Sequence, residues 1–402
     1  MNKLSKTILL GFTGLAAALM LISCKEKKND NIKEELTNCS IEHEEEFGGI
    51  YVHEQIDAFN NLGFKYGDSV KIEFSNGKVL EDIPYYNGYY TKNGEILLVA
   101  YPGYPYIKVC INNGDDLWDQ IDLHEELLQN ALSNSLWTNL ELTDDVTCTV
   151  KLNEKGKYTE IQEARDIHYS DDVNDYPQAG DNYVFANFRS LSGGNLVQGR
   201  IFRSASPCDN QHNRALYANN LMEENGVKYV IDLADDDTKI NKYISDPLFQ
   251  SSRFKTLYEE GSVLPLALNM NFESDYFKEK VVVAMKAIAT HEGPYLIHCT
   301  EGKDRTGFMC ILLEMLGAAT YTEIVADYMT TYLNYYSFNG QFDQIKFDTI
   351  VNNVLNPMIA SILNNPNSSI EGADYNYYAE KYLSDNGMTD EEITALLNNI
   401  CQ

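Results

Sequence analysis

The feature that most constrains the fold is a polar string that stands between two apolar segments. Residues 295–297 form a short apolar run typical of a buried strand, and residues 308–316 are almost wholly apolar, as in a helix buried on most sides. The string between them reads His298, Cys299, Thr300, Glu301, Gly302, Lys303, Asp304, Arg305, Thr306 and Gly307. This pattern predicts a strand, a tight loop and a helix in immediate succession.

Such a loop is suited to hold a tetrahedral dianion. Gly302 permits the curvature that turns backbone N–H groups inward, and the N-terminus of the following helix adds its positive dipole end. Both stabilise a thiolate at Cys299, which would be a nucleophile beside a bound phosphoryl group. Arg305 could donate two forked hydrogen bonds to phosphate oxygens, and the Thr306 hydroxyl could help the sulfur leave. His298 is expected to orient the loop rather than to carry protons.

The identity of a general acid stays open among three carboxyl groups. Asp304 lies within the loop, whereas Asp235 and Asp236 follow the preceding apolar segment at 227–233 and could equally be a solvated turn. An acid must be protonated to donate to the leaving oxygen, so burial or a nearby thiolate has to raise its pKa. Arg203 could support the loop, contact the substrate near its phosphate, or form a surface ion pair.

The string resembles the HCxxGKDRTG signature of the cysteine-dependent protein tyrosine and dual-specificity phosphatases, in the bacterial branch with Lys-Asp before the Arg. GRIFRSAS at 199–206, VIDLADD at 230–236 and GMTDEEITALL at 387–397 are similar to further segments of that family. The resemblance implies Cys299, Arg305 and Asp304 as catalytic residues. The phosphate-binding residues that it implies are Thr300, Glu301, Gly302, Lys303, Thr306, Gly307 and Arg203.

Two departures from the family pattern concern the acid and the strand before it. Ala234 stands where the family often has Arg, and no Trp-Pro-Asp loop is present. In the resembled branch the loop Asp, here Asp304, has the acid role. Lys303 could bind a second phosphate group or the first.

Residues 160–402 are expected to form an α/β domain with a central, mainly parallel sheet flanked by helices. Strands at 199–204, 227–233 and 295–297 alternate with helices at 213–224, 272–290 and 308–316. Further helices are predicted at 322–336, 347–363, 375–385 and 390–400. Ligands of such a sheet bind beyond the carboxyl ends of its strands.

Residues 47–155 are expected to form a small, mostly-β domain. Strands are predicted at 70–74, 96–100 and 107–111, and a helix at 117–132. GDSVKIEF, LEDIPYYNGYY and GYPYIKVCINNGD weakly resemble the C-terminal β domain of S-adenosylmethionine hydroxide adenosyltransferases. That family's catalytic residues lie largely elsewhere, so no activity is carried over. The tyrosines of this stretch suit packing better than ligand binding.

Residues 1–23 are predicted to be a bacterial lipoprotein signal peptide. Lys3 and Lys6 precede a charge-free apolar run from Ile8 to Ile22, which is too short for a comfortable membrane span and ends in Leu-Ile-Ser-Cys. Cys24 would carry the lipid, and residues 24–46 would be a flexible tether. The protein is therefore expected on the bacterial cell envelope, lipid-anchored and extracytoplasmic.

Charge and composition exclude several classes of protein. Hydrophobic residues make up 44% of the 402 residues and charged residues 23%, so the chain is globular. Sixty Asp and Glu against 31 Lys and Arg give a net charge of −29, which disfavours nucleic-acid partners. All seven arginines lie between 165 and 305. This clustering is explained either by chance or by an anion-binding site in that segment.

Eight cysteines without any CxxC pair suggest neither a zinc ribbon nor a dense disulfide scaffold. No metal and no cofactor are expected, since Arg305 and loop amides supply the electrostatics. The leading expectation is a protein tyrosine phosphatase that forms a cysteinyl-phosphate on Cys299. Its rivals are an inositol polyphosphate or phosphoinositide phosphatase and a non-catalytic phosphate-binding envelope protein. The oligomeric state does not follow from the sequence.

Overall fold

The structure, a computed structural model, describes residues 34–45, 48–120, 146–176, 182–337, 340–365 and 367–401. Cys24, the predicted signal peptide and most of the helix predicted at 117–132 lie outside these residues. In the described part, no helix combines the length and the apolar character that a membrane crossing requires.

The N-terminal region is a closed barrel of seven strands, arranged in the order β1-β2-β6-β5-β4-β3-β7. Its strands are β1 (Glu35–His43), β2 (Ile50–Val52), β3 (Ser69–Phe74), β4 (Val79–Tyr86), β5 (Ile96–Val99), β6 (Ile107–Ile111) and β7 (Thr147–Glu154). All neighbours pair antiparallel except β4 and β5, which are parallel. The predicted β domain is therefore a closed barrel, and its three predicted strands are β3, β5 and β6. Helices α1 (Ile56–Asn61) and α2 (Leu117–Gln120) accompany it.

The assignment of residues 24–46 to a flexible tether was wrong for its last part. Strand β1 pairs with both β2 and β7 and so closes the barrel. Only two apolar side chains of β1, those of Leu36 and Ile41, are buried, while its polar side chains face outward. A barrel strand with one solvent face reads as a polar stretch in the sequence, and this explains the error.

The sheet of the C-terminal region has five strands in the order β11-β10-β12-β9-β8. These are β8 (Arg189–Ser190), β9 (Ile201–Ser204), β10 (Tyr229–Asp232), β11 (Val263–Pro265) and β12 (Tyr295–His298). Four of them are parallel, and β8 pairs antiparallel with β9. Ser204 and Asp232 lie beside His298 in the register, so three strands end together at one edge. The expected mainly parallel sheet is confirmed.

The helices around this sheet include all those predicted, and four short helices, at 159–165, 182–185, 237–244 and 253–259, were not predicted. They are α3 (Thr159–Arg165), α4 (Asn182–Phe185), α5 (Ala215–Glu224), α6 (Asp237–Ile244), α7 (Arg253–Glu259), α8 (Asp275–Thr290), α9 (Asp304–Leu316), α10 (Tyr321–Tyr336), α11 (Gln344–Ile350), α12 (Asn356–Leu363), α13 (Tyr375–Asp385) and α14 (Asp390–Ile400). Helix α14 begins with a capping box in which Thr389 and Glu392 satisfy each other's backbone N–H. The single helix predicted at 347–363 is instead α11 and α12 joined by a π-helical turn, Val351–Leu355.

Candidate active site

The polar string forms a loop between β12 and α9, at the edge where the parallel strands end. Cys299 follows the last residue of β12 and its side chain is only 4% exposed. Gly302 has φ +67°, and a Cβ there would lie 2.2 Å from the Ser204 carbonyl oxygen. Both the left-handed backbone and this close approach require glycine.

Three successive carbonyl groups of the loop, at 300–302, accept hydrogen bonds from the protein around them. The donors, in chain order of their acceptors, are Ser206 N (3.0 Å), Tyr335 Oη (2.5 Å), and Arg203 Nη2 (2.9 Å) together with Asn187 Nδ2 (3.3 Å). No backbone N–H from 300 to 305 donates to any acceptor in the described residues. With the carbonyls bonded to the surrounding protein, these amides have no acceptor of their own and remain available to an anion.

Arg203 contacts the loop from its buried side and is not a surface residue. Its side chain is fully buried, and it donates to Asp327 as well as to the Gly302 carbonyl. Arg189 Nε donates to the other oxygen of Asp327 at 2.7 Å. Burial opposes the charge on Asp327, but Arg189 and Arg203 outweigh it and keep the pKa of Asp327 below its usual value. Of the three roles considered for Arg203, these contacts match support of the loop; they do not match phosphate binding or a surface ion pair.

Arg305, in the first turn of α9, contacts the beginning of the loop and a neighbouring segment. Its Nη2 is 3.3 Å from Thr300 Oγ1, and its Nη1 donates to the Leu268 carbonyl at 3.1 Å. The guanidinium keeps further N–H groups for phosphate oxygens. Thr306, one position on, is fully buried and its Oγ1 has no hydrogen-bond partner in the described part of the chain.

His298 lies behind the loop, beside two buried carboxyl groups. Burial lowers the pKa of His298 to about 4, so the imidazole is neutral at pH 7. Its Nε2 lies 3.8 Å from Asp232 Oδ2. Burial raises the pKa of Asp232, and burial together with the nearby Asp232 raises that of Asp235. Neither ring nitrogen of His298 has a hydrogen-bond partner in the described residues, so no contact there corresponds to the orienting, hydrogen-bonded role expected from the sequence.

One group of side chains near His298 has a donor set that could hold a metal ion. Ligand atoms of Cys208, Asp232 and Asp235 lie within 4.8 Å of one another, and all three residues are buried. A thiol with two carboxyl groups offers ligands for a divalent cation.

On its solvent side the loop contains an ion pair between two of its own residues. Lys303 Nζ lies 2.9 Å from Glu301 Oε2, and Tyr169 Oη donates to Glu301 Oε1 at 2.6 Å. Burial acts against the charge of Glu301, but Lys303 and Tyr169 outweigh it and lower its pKa to about 2. Glu301 therefore stays ionised and holds Lys303, whose pKa is raised well above its usual value because this carboxylate outweighs its burial.

The three candidate acids occupy different surroundings. Asp304 begins α9 at the solvent side, 27% exposed, with Oδ2 3.9 Å from Lys303 Nζ. Asp235 is 3% exposed. Asp236 is exposed and caps α6 by accepting from the Lys239 N–H at 2.8 Å. Burial and the nearby Asp232 raise the pKa of Asp235, as an acid requires.

Several residues around the loop were not anticipated from the sequence. They are Asn187, Arg189 and Asp327 below the loop, Tyr169 and Tyr335 at its side, and Cys208 beside Asp235. Asp327 and Tyr335 are eight positions apart in α10. At helical spacing this places both residues near one face of the helix, the face that lies toward the loop. A carboxylate on an otherwise apolar helix face was therefore the sequence signal that could have indicated a buried role for Asp327.

Comparison with protein-family models identifies the family of the region that contains this loop. Residues 184–402 match the model of the tyrosine phosphatase family. No curated protein sequence matches the chain. Among solved structures, the chain is similar to the core catalytic domain of the PP-IP phosphatase SIW14 from S. cerevisiae, with 18% identity and a TM-score of 0.25, covering 44% of this chain and 93% of that one. The loop that surrounds Cys299 lies inside the matched region, and the chain belongs to the tyrosine phosphatase family.

Proposed function

We propose that this protein hydrolyses phosphomonoesters through a cysteinyl-phosphate on Cys299, and that its substrate is phosphotyrosine in proteins. One observation carries the proposal. The carbonyls at 300–302 are bonded to the surrounding protein, while the N–H groups from 300 to 305, which follow Cys299 directly, have no acceptor in the described residues and remain available to an anion. A binding-only loop would have no need of the sulfur.

In the first step the Cys299 sulfur attacks phosphorus and the ester P–O bond breaks. The loop amides and Arg305 bind the phosphoryl oxygens, whose charge they stabilise most in the transition state. Asp304 donates its proton to the leaving oxygen. The products of this step are the alcohol and the thiophosphate ester on Cys299.

In the second step water attacks phosphorus and the P–S bond breaks. Asp304, now a carboxylate, takes the proton of that water, and the thiolate of Cys299 leaves as inorganic phosphate forms. The unpartnered hydroxyl of Thr306 is available to donate to the departing sulfur. The enzyme returns to its starting protonation state.

The surroundings of the loop favour an aromatic ester. The rings of Tyr169 and Tyr335 lie 5.2 Å apart at the Glu301 side, and that of Tyr336 lies 5.9 Å from Tyr169. Tyr335 and Tyr336 are buried, so only the half-buried ring of Tyr169 is available to pack against an aryl group. A phenol is also a better leaving group than an alkyl alcohol and needs less help from the acid.

A second candidate substrate is an inositol polyphosphate or phosphoinositide. Lys303 at the solvent side of the loop favours it, because an additional phosphate would find a cation there. The 2.9 Å pair with Glu301 weighs against it, since that carboxylate already neutralises Lys303.

Rates on a panel of phosphoesters test the proposal. We expect turnover of p-nitrophenyl phosphate and of phosphotyrosine peptides, with lower rates on phosphoserine peptides and inositol hexakisphosphate. Cys299→Ser should abolish all turnover, because a hydroxyl is hardly ionised at neutral pH. Cys401→Ser is the matched control, because Cys401 is a half-buried cysteine in the last residue that the structure describes. This variant should retain turnover. Residual turnover in Cys299→Ser would contradict the mechanism.

We further propose that the protein is anchored to the envelope by a lipid on Cys24. The Leu-Ile-Ser-Cys string after a charge-free apolar run supports this. Cys24→Ala should release the protein from membranes or block its processing. Unchanged membrane partition and mass of the variant would contradict the anchor.

A further inference from the structure

A groove of about 1010 Å³ runs between the barrel and the catalytic domain, and the catalytic loop reaches it through Asp304. Asn93, on the barrel side, donates from Nδ2 to the Met270 carbonyl at 2.8 Å and so joins the two walls. Arg165, the last residue of α3, lines the same groove. The proposed acid and Arg165 therefore line one groove, to which the barrel also contributes residues.

The surroundings of the seven arginines single out one of them. Six donate hydrogen bonds to protein oxygens: Arg189 and Arg203 to Asp327, Arg214 to Asp171, Arg200 to the Asn399 carbonyl, Arg253 to the Val227 carbonyl and Arg305 to the Leu268 carbonyl. Arg165 has no hydrogen bond or ion pair with any described residue. Its guanidinium carbon lies 5.4 Å from the centre of the Tyr90 ring.

An unpaired arginine in this place is chemically unusual. The chain has a net charge of −29, and yet no carboxylate within the described part lies within ion-pair distance of Arg165. Tyr90 provides a ring face that orients a guanidinium without using its N–H donors. Those donors remain free for a carboxylate or phosphate that enters the groove.

The rest of the groove offers amide groups more than charge. Asparagine side chains from both walls line it: Asn93, Asn112 and Asn113 from the barrel, and Asn352, Asn353 and Asn364 from the catalytic domain. Asn112 and Asn353 each donate to a backbone carbonyl and keep an amide oxygen without a partner in the described residues. Side-chain amides that both donate and accept match the backbone of an extended peptide.

Charge within the groove argues against a polyanion. Its cations are Arg165, Lys92 and Lys108, and Lys108 is already paired with Glu44. Two carboxylates, on Asp304 and Glu273, line the same space. A polyphosphorylated ligand needs several unopposed cations, whereas one acidic side chain needs one.

We propose that the groove binds the peptide that flanks the phosphotyrosine and that Arg165 binds an acidic side chain of that peptide. This inference rests on the proposed phosphotyrosine activity. The barrel then forms one wall of the substrate site. Arg165 lies before the region that matches the family, so this preference belongs to this chain and does not follow from the family signature.

The test compares phosphotyrosine peptides that differ only by Glu or Gln at single positions on either side of the phosphotyrosine. The full chain should show a kcat/KM at least about tenfold higher for the best Glu peptide than for its Gln partner, as a charge-assisted hydrogen bond would give. In Arg165→Gln the ratio should fall close to one, and Arg165→Lys should keep part of it. Lys242→Gln removes an exposed cation outside the groove and should leave the ratio unchanged.

Because each ratio is measured within one variant, a general loss of folded enzyme does not affect it. Equal ratios in the full chain and in Arg165→Gln would overturn the inference while the phosphatase activity stands. A full chain that hydrolyses neither p-nitrophenyl phosphate nor any peptide would overturn the proposed function as well. A rate on inositol hexakisphosphate above that on every peptide, lost in Arg165→Gln, would assign the arginine to a second phosphate instead.

Discussion

The two sides of the catalytic loop both contain charged and hydrogen-bonding residues, but these residues differ in their exposure to solvent. The buried side comprises Asn187, Arg189, Arg203, Asp232, Asp235, His298 and Asp327, and the open side comprises Arg165, Tyr169, Glu301, Lys303 and Asp304. On the buried side, Arg203 is 0% exposed and Asp327 9%. On the open side, Lys303 is 17% exposed and Glu301 27%.

This difference separates the tasks of shaping the loop and serving the substrate. A charged group without water is costly unless its partners remain in place, so the buried side positions the loop carbonyls rigidly. Groups on the open side exchange partners with solvent at lower cost and can meet a ligand. We therefore expect substitutions on the buried side to lower stability first, and substitutions on the open side to lower activity first.

The largest effect should come from Asp304→Asn on the open side. The substitution keeps the shape of the side chain but removes the transferable proton. The rate should fall by about 10²–10⁴ for tyrosine or alkyl phosphates and much less for an activated aryl phosphate, because a good leaving group needs little protonation. An equal loss on every substrate would make Asp304 structural and direct attention to Asp235.

The next effect should come from Asp327→Asn on the buried side. It leaves Arg189 and Arg203 buried without their counter-charge, and we expect the free energy of unfolding in urea to fall by about 3–5 kcal/mol. Asp385→Asn, which breaks the exposed pair with Lys381, should change it too little to measure. Lost activity at unchanged stability in Asp327→Asn would refute the division between the two sides.

The pH dependence of stability should differ in sign between the two sides. The pKa of Glu301 is about 2 in the folded chain, so its contribution is complete above the unfolded value of 4.5 and is lost as the pH falls toward 2. The pKa of Asp235 is raised, so the folded state holds its proton more tightly, and stability decreases as the pH rises from about 4.

Urea unfolding of two variants from pH 3 to pH 7 measures these slopes. The penalty of Glu301→Gln should shrink as the pH falls below 4.5. Asp235→Asn should gain stability relative to the parent as the pH rises. Parallel profiles for both variants would show that the two carboxyl groups share one environment.

The smallest effect should come from Tyr169→Phe on the open side. It removes the hydroxyl that donates to Glu301 at 2.6 Å, and the free energy of unfolding should fall by about 1 kcal/mol. Tyr377→Phe, at a ring 56% exposed, is the control and should have no effect. A change in Tyr169→Phe as large as that in Asp327→Asn would place Tyr169 with the buried side.

The sequence predicted those parts of the site that are local in the chain. The loop that contains Cys299 and its bordering strand and helix occupy 295–316, and this arrangement was predicted from one apolar–polar–apolar pattern. Helices α10, α13 and α14 were predicted almost to the residue, because each combines an apolar face with a recognisable end.

Other parts depend on contacts that no local pattern contains. Asp327 looks like any charged residue of a helix until the fold places two arginines beside it. Closure of the barrel depends on β1, whose mostly polar residues gave no strand signal. The carboxyl ends of β9, β10 and β12 were predicted to meet, but which side chains contact the loop there was not.

The outward-bonded carbonyls also set when the thiol becomes a nucleophile. Asn187 and Arg203 are 115 and 99 residues away from Gly302 along the chain, and Tyr335 comes from a helix after the loop. Contacts of such sequence separation form late, since closing long stretches of chain costs entropy before any contact compensates it. A partly folded chain thus possesses Cys299 but not the ring of amides that activates it. On the proposed mechanism, hydrolysis is therefore restricted to completely folded molecules, and a chain still in synthesis has no phosphatase activity.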